Sequence, residues 1–104
     1  MFIEHRTYSI KPGRLHEYLE AYGADGFALH QSHAPCVGYY TSEAGKLFQI
    51  ISMWRHNSFE ERLQRRAELN KHPVWREKMA KMTTLVDSIE SRLIIPAPFY
   101  SPTA

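Results

Sequence analysis

KLFQIISMWRH, residues Lys46–His56, is the most strongly strand-forming stretch of the chain. Aliphatic and aromatic residues of the kind enriched in sheets fill it, and side chains on a strand alternate between two faces. One face takes Leu47, Ile51 and Met53; the other takes Phe48, Ile50 and Trp54. Both faces are apolar. Leaving three or four large apolar side chains in water would forfeit about 1.5–3 kcal/mol each. The rest of the chain has to supply a cover on both sides.

Working outward, CVGYYTS (36–42) reads as a short strand joined to this one by the turn EAG. Before it, KPGRLHEYLEAYGADGFALHQSH carries Leu15, Tyr18, Leu19 and Tyr22 at the helical i, i+3, i+4, i+7 spacing. Pro12 suits the first turn of that helix, which is expected to run to about Gln31 despite Gly23 and Gly26. FIEHRTYSI (2–10) is the opening strand. On the other side, Ser58 followed by Glu61 has the capping-box spacing, and Pro73 divides the helical stretch into one helix near 58–69 and a second near 73–88. In the second, Trp75, Met79, Met82, Val86 and Ile89 keep a helical period and read as core. SRLIIPAP is the last strand, stopped by Pro96 and Pro98, and FYSPTA is a tail too short for an element. The order β-α-β-β-α-α-β predicts an α+β, ferredoxin-like sheet of four antiparallel strands with helices on one face.

The bulk properties narrow the function classes. With 104 residues the chain is read as a single domain, 1–104. Its 13 basic and 11 acidic residues are too evenly balanced for a nucleic-acid binder. No apolar run nears the ~20 residues of a membrane span, and the start has neither signal-peptide nor transit-peptide character. One cysteine, Cys36, excludes an internal disulfide and suits a reducing compartment. The expectation is a complete cytoplasmic domain with no nucleic acid and no membrane among its partners.

Helices on one side cover one face of the two-faced strand. A second copy, meeting it sheet to sheet in a symmetric homodimer, is the economical cover for the other. The opening strand then gains interest, because Glu4, Arg6 and Tyr8 share one of its faces, about 6.6 Å apart. These three are expected on the open face, pointing into an inter-sheet cavity, with Ile3, His5 and Thr7 toward the helices. Polar groups in such a cavity need partners or a ligand.

The residues also resemble a known family. Glu4-His5-Arg6-Thr7-Tyr8 followed by Lys11-Pro12-Gly13, then GYYTSEAGKLFQIISMWRH, SFEERLQRRAEL, HPVW and PAPFYSP are similar to the NIPSNAP family, in order and over nearly the whole chain. The resemblance implies the dimeric α+β barrel architecture. It implies no single reaction, because cofactor-free oxygenases, heme-degrading enzymes, lactone isomerases and stress-response proteins all use that architecture.

The site expected from these readings consists of Glu4, Arg6 and Tyr8 as the polar set, with Tyr40, Trp54 and His56 as candidate wall and rim residues. Arg6 would meet a ligand carboxylate or enolate, Tyr8 would donate to it, and Glu4 would act as base or orienter. The competing reading makes the three a structural network, with Arg6 paired to Glu4 or Glu90. His30-x-x-His33-x-x-Cys36 has the look of a metal cluster, but it lacks a fourth ligand. Histidines near a helix C-terminus are favourable for dipole reasons alone. No cofactor is expected; heme or a metal is the minor alternative. The function expected is binding of a small molecule in the homodimer's cavity, with cofactor-free oxygenation or isomerisation as the chemistry. The alternative is a non-catalytic dimeric interaction or scaffold module.

Overall fold

The computed structural model describes residues 1–102. Within them lie β1 (Phe2–Ile10), α1 (Leu15–His33), β2 (Cys36–Thr41), β3 (Gln49–His56), α2 (Phe59–Leu69), α3 (Pro73–Thr83) and β4 (Val86–Ile94). Thr103 and Ala104, the end of the FYSPTA tail, lie outside the described residues. The strands form one antiparallel sheet in the order β2-β3-β1-β4. This is the ferredoxin-like α+β fold expected from the element order.

The central pair, β1 and β3, sets the faces. Glu4 lies opposite Trp54, Arg6 opposite Ser52 and Tyr8 opposite Ile50. Ile50, Ser52, Trp54 and His56 are buried in strict alternation with half-buried Gln49, Ile51, Met53 and Arg55. The even-numbered row is the helix side: Ile10 and Ile50 join Tyr18, Tyr22, Leu69, Trp75, Met82 and Leu85 in the core, and Tyr8 packs against it.

This reverses the expected orientation of β1. Glu4, Arg6 and Tyr8 point under the helices, and His5 and Thr7 share the open face with Met53 and Ile51. Two causes outweigh the preference for apolar residues under helices. Trp54 and Ile50, among the most deeply buried side chains, lock the even row of β3 inward. In addition, α2 carries Arg62 on its inner side, where it pairs with Glu4, so burying the acid is no longer prohibitive.

Four boundaries also differ from expectation. Gly13 at φ 82° sits in a turn after Pro12, a conformation no right-handed helix accommodates, so α1 begins at Leu15. β3 begins at Gln49 because Phe48 takes φ 61°. The helix from Pro73 stops at Thr83, and Val86 and Ile89 belong to a strand that starts five residues before Ser91. Pairing along nearly the whole of β1 favours that longer strand over a further helical turn. At α2, Ser58 caps the Glu61 N–H at 3.1 Å, but the Glu61 carboxylate accepts from the Asn57 N–H at 3.2 Å rather than closing the box on Ser58. Glu61 also pairs with Arg65, one turn on, at 2.6 Å.

Candidate functional site

Between the helices and the sheet lies a cavity of about 260 Å³. β1 and β3 give it a floor containing Glu4, Arg6, Tyr8, Ser52, Trp54 and His56; α1 gives Tyr18, Tyr22 and His30; β2 gives Tyr39; α2 gives Arg65 and Arg66; α3 gives Trp75, Met79 and Met82. Five of the six residues singled out in the sequence therefore meet around one space. It lies within a single chain, between its helices and its sheet, not between two sheets. Tyr40 is not among them. It pairs with Ile51 on the open face and is 59% exposed.

One end of the cavity is ionic. The Glu4 carboxylate accepts a hydrogen bond from Arg62 Nη2 at 2.7 Å and lies 3.7 Å from Arg6 Nη1. His56 Nε2 sits 3.4 Å from its other oxygen, within ion-pair reach but off the line of a hydrogen bond. Arg65 Nη1 donates to the Arg55 carbonyl at 2.9 Å and lies 3.2 Å from His56 Nδ1. A guanidinium has no acceptor, so Nδ1 is the accepting nitrogen and the ring proton is on Nε2, on the Glu4 side. Burial by itself would raise the Glu4 carboxyl; His56, the Arg62 hydrogen bond and the charges of Arg6 and Arg62 outweigh it and hold the group down to about 2. A carboxylate so stabilised is a weak base. It orients Arg6 and Arg62, and the base role expected for it loses its chemical ground. Glu90 plays no part, because it pairs with Thr7 on the open face.

The other end is aromatic. His30 stacks on Trp54 with ring centroids 3.7 Å apart, and its Nδ1 shares a 2.8 Å hydrogen bond with the Tyr22 hydroxyl. Tyr22 in turn stacks on Tyr39 at 5.4 Å. Trp54 Nε1 donates to Ser52 Oγ at 3.0 Å, so the indole is fixed. Burial, followed by the charge of Arg6, lowers the His30 pKa to about 4, which leaves the ring neutral at pH 7. Burial likewise raises Tyr18, Tyr22 and Tyr39, and it raises Tyr8 against the opposing charge of Arg6. All four phenols keep their protons. Arg6 lies between the two ends, with its guanidinium carbon 5.1 Å from the Tyr8 ring centroid and its buried Nε without a hydrogen-bond partner.

The His30, His33 and Cys36 series does not converge. His33 meets His72 at 5.1 Å between ring centroids, and Cys36 Sγ contacts the Gly38 carbonyl at 3.4 Å. Among the described residues no three His, Cys, Asp or Glu side chains are placed to hold a metal ion. Sequence reading missed the cavity roles of Tyr18, Tyr22, Tyr39 and Arg65, and the pairing of Arg62 with Glu4. Two signals were present. Tyr18, Tyr22 and His30 give the buried stripe of α1 polar tips, and Arg62, Arg65 and Leu69 put two bases on the buried stripe of α2.

A four-stranded antiparallel sheet with helices on one face, enclosing a mixed ionic and aromatic cavity, defines an α+β protein of the ferredoxin-like kind. A solved antibiotic biosynthesis monooxygenase shares this architecture with TM-score 0.68 at 13% identity, covering 94% of this chain and 100% of that one, a likeness of fold alone. The chain belongs to the NIPSNAP family, whose family model, described as NIPSNAP, matches residues 3–102. The NipSnap homolog of Dictyostelium discoideum is 42% identical over 93 residues, 89% of this chain and 41% of that protein. Human NipSnap homolog 3A is 29% identical over 95% of this chain and 40% of its own length. The chain thus spans about two fifths of the length of these curated relatives. A crystal structure of a NIPSNAP family protein of unknown function from Agrobacterium tumefaciens superposes with TM-score 0.92 at 34% identity, covering 99% of this chain and 94% of that one.

Proposed function

We propose that this NIPSNAP domain is a binding protein for a small aromatic or largely apolar molecule that carries an anionic group, taken up in the cavity between helices and sheet. The observation that carries the reading is Arg6. It is a half-buried cation on the cavity floor whose Nε lacks a partner and whose contact with Glu4 is long. Glu4 has Arg62 as its close partner and Arg65 has Glu61, while Arg66 at the rim adds a further positive charge, so the cavity holds more cation than anion. Six aromatic side chains supply flat walls, and the protonated tyrosines supply donors. A space of about 260 Å³ favours a ligand over a pure scaffold, for which a filled interior is expected. Proton abstraction and cofactor-free oxygenation would need a base of ordinary strength, which Glu4 is not.

The domain works as a homodimer in this reading, with the open faces of two sheets together. Half-buried Ile51 and Met53 and exposed Tyr40 and Ile94 support that pairing. The lone cysteine supports a reducing, cytoplasmic setting, and no helix in the described residues is long and apolar enough to cross a membrane.

Titration of Trp54 and Trp75 fluorescence with benzoate, naphthoate and the matching neutral alcohols tests the ligand class. Saturable quenching by the carboxylates, shifted to about tenfold higher ligand concentration in Arg6→Gln, is expected. Equal response to acid and alcohol, or none to either, would overturn the reading.

A further inference from the structure

The cavity's own chain leaves it open along β4. This edge strand is exposed over nearly its whole length, and its helix-side residues include Ile89, which lines the cavity opposite Tyr8, and Leu93, opposite Glu4. They are 52% and 45% exposed. Across the gap, Phe59 and Leu63 of α2 are also exposed, on the helical stripe that carries Arg62 and Arg66. Phe59 lies against Arg62, which holds Glu4, whose neighbour on β4 is Leu93. Ile89 thus marks the mouth, and Leu93, Phe59 and Leu63 add exposed apolar surface outside the cavity lining.

The same chain carries an apolar segment without a seat. After Ile94 the tail shows Ile95 at 80%, Phe99 at 94% and Tyr100 at 60% exposure. Pro96, Pro98 and Pro102 stiffen it and remove the N–H groups that would let it continue the ladder of β4. A turn closed by the Tyr100 N–H on the Ala97 carbonyl at 2.9 Å presents the two aromatics together. Phe99 does not lie on the mouth of its own chain, because it touches almost nothing there.

We propose that in the homodimer each chain's tail closes the other chain's cavity, with Phe99 and Tyr100 of the partner subunit laid over Ile89 and Leu93. This rests on the dimer reading above and adds to it that the ligand site is incomplete in one chain. The fit is chemical as well as geometric. The tail from Ile95 to Pro102 is aromatic and uncharged, and the mouth offers aliphatic surface flanked by Arg62 and Arg66, which favour aromatic faces. A pre-stiffened tail loses little freedom on docking, and a reciprocal exchange satisfies two-fold symmetry.

The test is directed cross-linking in a Cys36→Ser background. Chains with Ile89→Cys and chains with Phe99→Cys are mixed, allowed to exchange subunits and oxidised with copper phenanthroline. The mixture is expected to give a disulfide-linked species of twice the chain mass, several-fold above either chain alone. Sedimentation of the same samples separates the two ways of failing. A dimer without the mixed adduct, or a double variant that cross-links within one chain, overturns the tail placement alone; a monomer overturns the dimer reading. As a check free of introduced cysteines, Phe99→Ala should speed hydrogen exchange at the amides of 87–93 several-fold while the dimer persists. Unchanged exchange would count against the proposal.

Discussion

The two ends of the cavity each contain a histidine, and they are built on different principles. His56 belongs to a braced ionic cluster in which Glu4, Arg62, Arg65 and the Arg55 carbonyl tie α2 to β1 and β3. His30 belongs to a stack of rings and has one hydrogen bond, to Tyr22. The ionic end gains its order from charges that need one another, so taking out one member leaves the others buried without compensation. The aromatic end is held by ring packing, with the Tyr22 and His30 tips bonded to each other and no charged group among them. A cavity can thus have one end that fixes the fold and another that receives a ligand, with Arg6 between them.

The largest expected effect breaks the ionic end. Glu4→Ala strands Arg62 and His56 and should cost about 3–5 kcal/mol in urea unfolding; a loss below 1 kcal/mol would mean that the cluster is solvated and the contrast false. The acid titration of stability separates the two ends by pH. His30 has a depressed folded pKa, so between about 4 and 6.5 the unfolded chain binds a proton that the folded chain refuses. Stability from this source is complete above 6.5 and falls by about 3 kcal/mol as pH drops toward 4. Glu4, depressed from 4.5 to about 2, contributes above 4.5, and its share is lost as pH falls toward 2. His30→Phe should flatten the upper window and leave the lower one, as followed by denaturant midpoints at stepped pH.

Arg6→Gln comes next. It should weaken binding of an aromatic carboxylate about tenfold, equal to about 1.4 kcal/mol, with a smaller change in unfolding free energy because Arg62 still holds Glu4. If it unfolds the chain instead, Arg6 belongs to the bracing. Ser58→Ala, which removes the cap of α2, should cost about 1 kcal/mol of stability. Calorimetric titration should find the affinity per folded molecule unchanged, since the cap touches neither end.

Much of the fold was legible because local rules agree with it. The two-faced strand, the Ser58 cap, Pro73 and the amphipathic stripe of α1 each specify an element without reference to the others. The site was legible only as a set of residues. That Glu4, Arg6 and Tyr8 share a face follows from strand alternation; which face cannot follow, because a strand has no inside until something packs on it. Tyr40 parts from the other five for the same reason, and it alone of the six lies on the open face where the inter-sheet cavity was expected. It adjoins Tyr39, a cavity residue, and one step along a strand reverses the side. Val86 and Ile89 read as helix because they continue the 4-3-4-3 spacing begun at Trp75 and Met79. On a regular strand residues three apart point to opposite faces, and it is the register shift between Ser9 and Ile10 that brings both to the cavity side.

The sequence by itself determined the element order, the antiparallel sheet with its helices on one side, and the pool of residues from which a site could be made, because period, caps and prolines act over a few neighbours. The tertiary structure alone decided that α2 brings Arg62 down on Glu4, from 58 positions along the chain. That contact turns a candidate base into a fixed anion and places the cavity under the helices. Its reason is electrostatic: a buried carboxylate takes the face where its cations are, and sequence spacing does not reveal where a distant helix will put them.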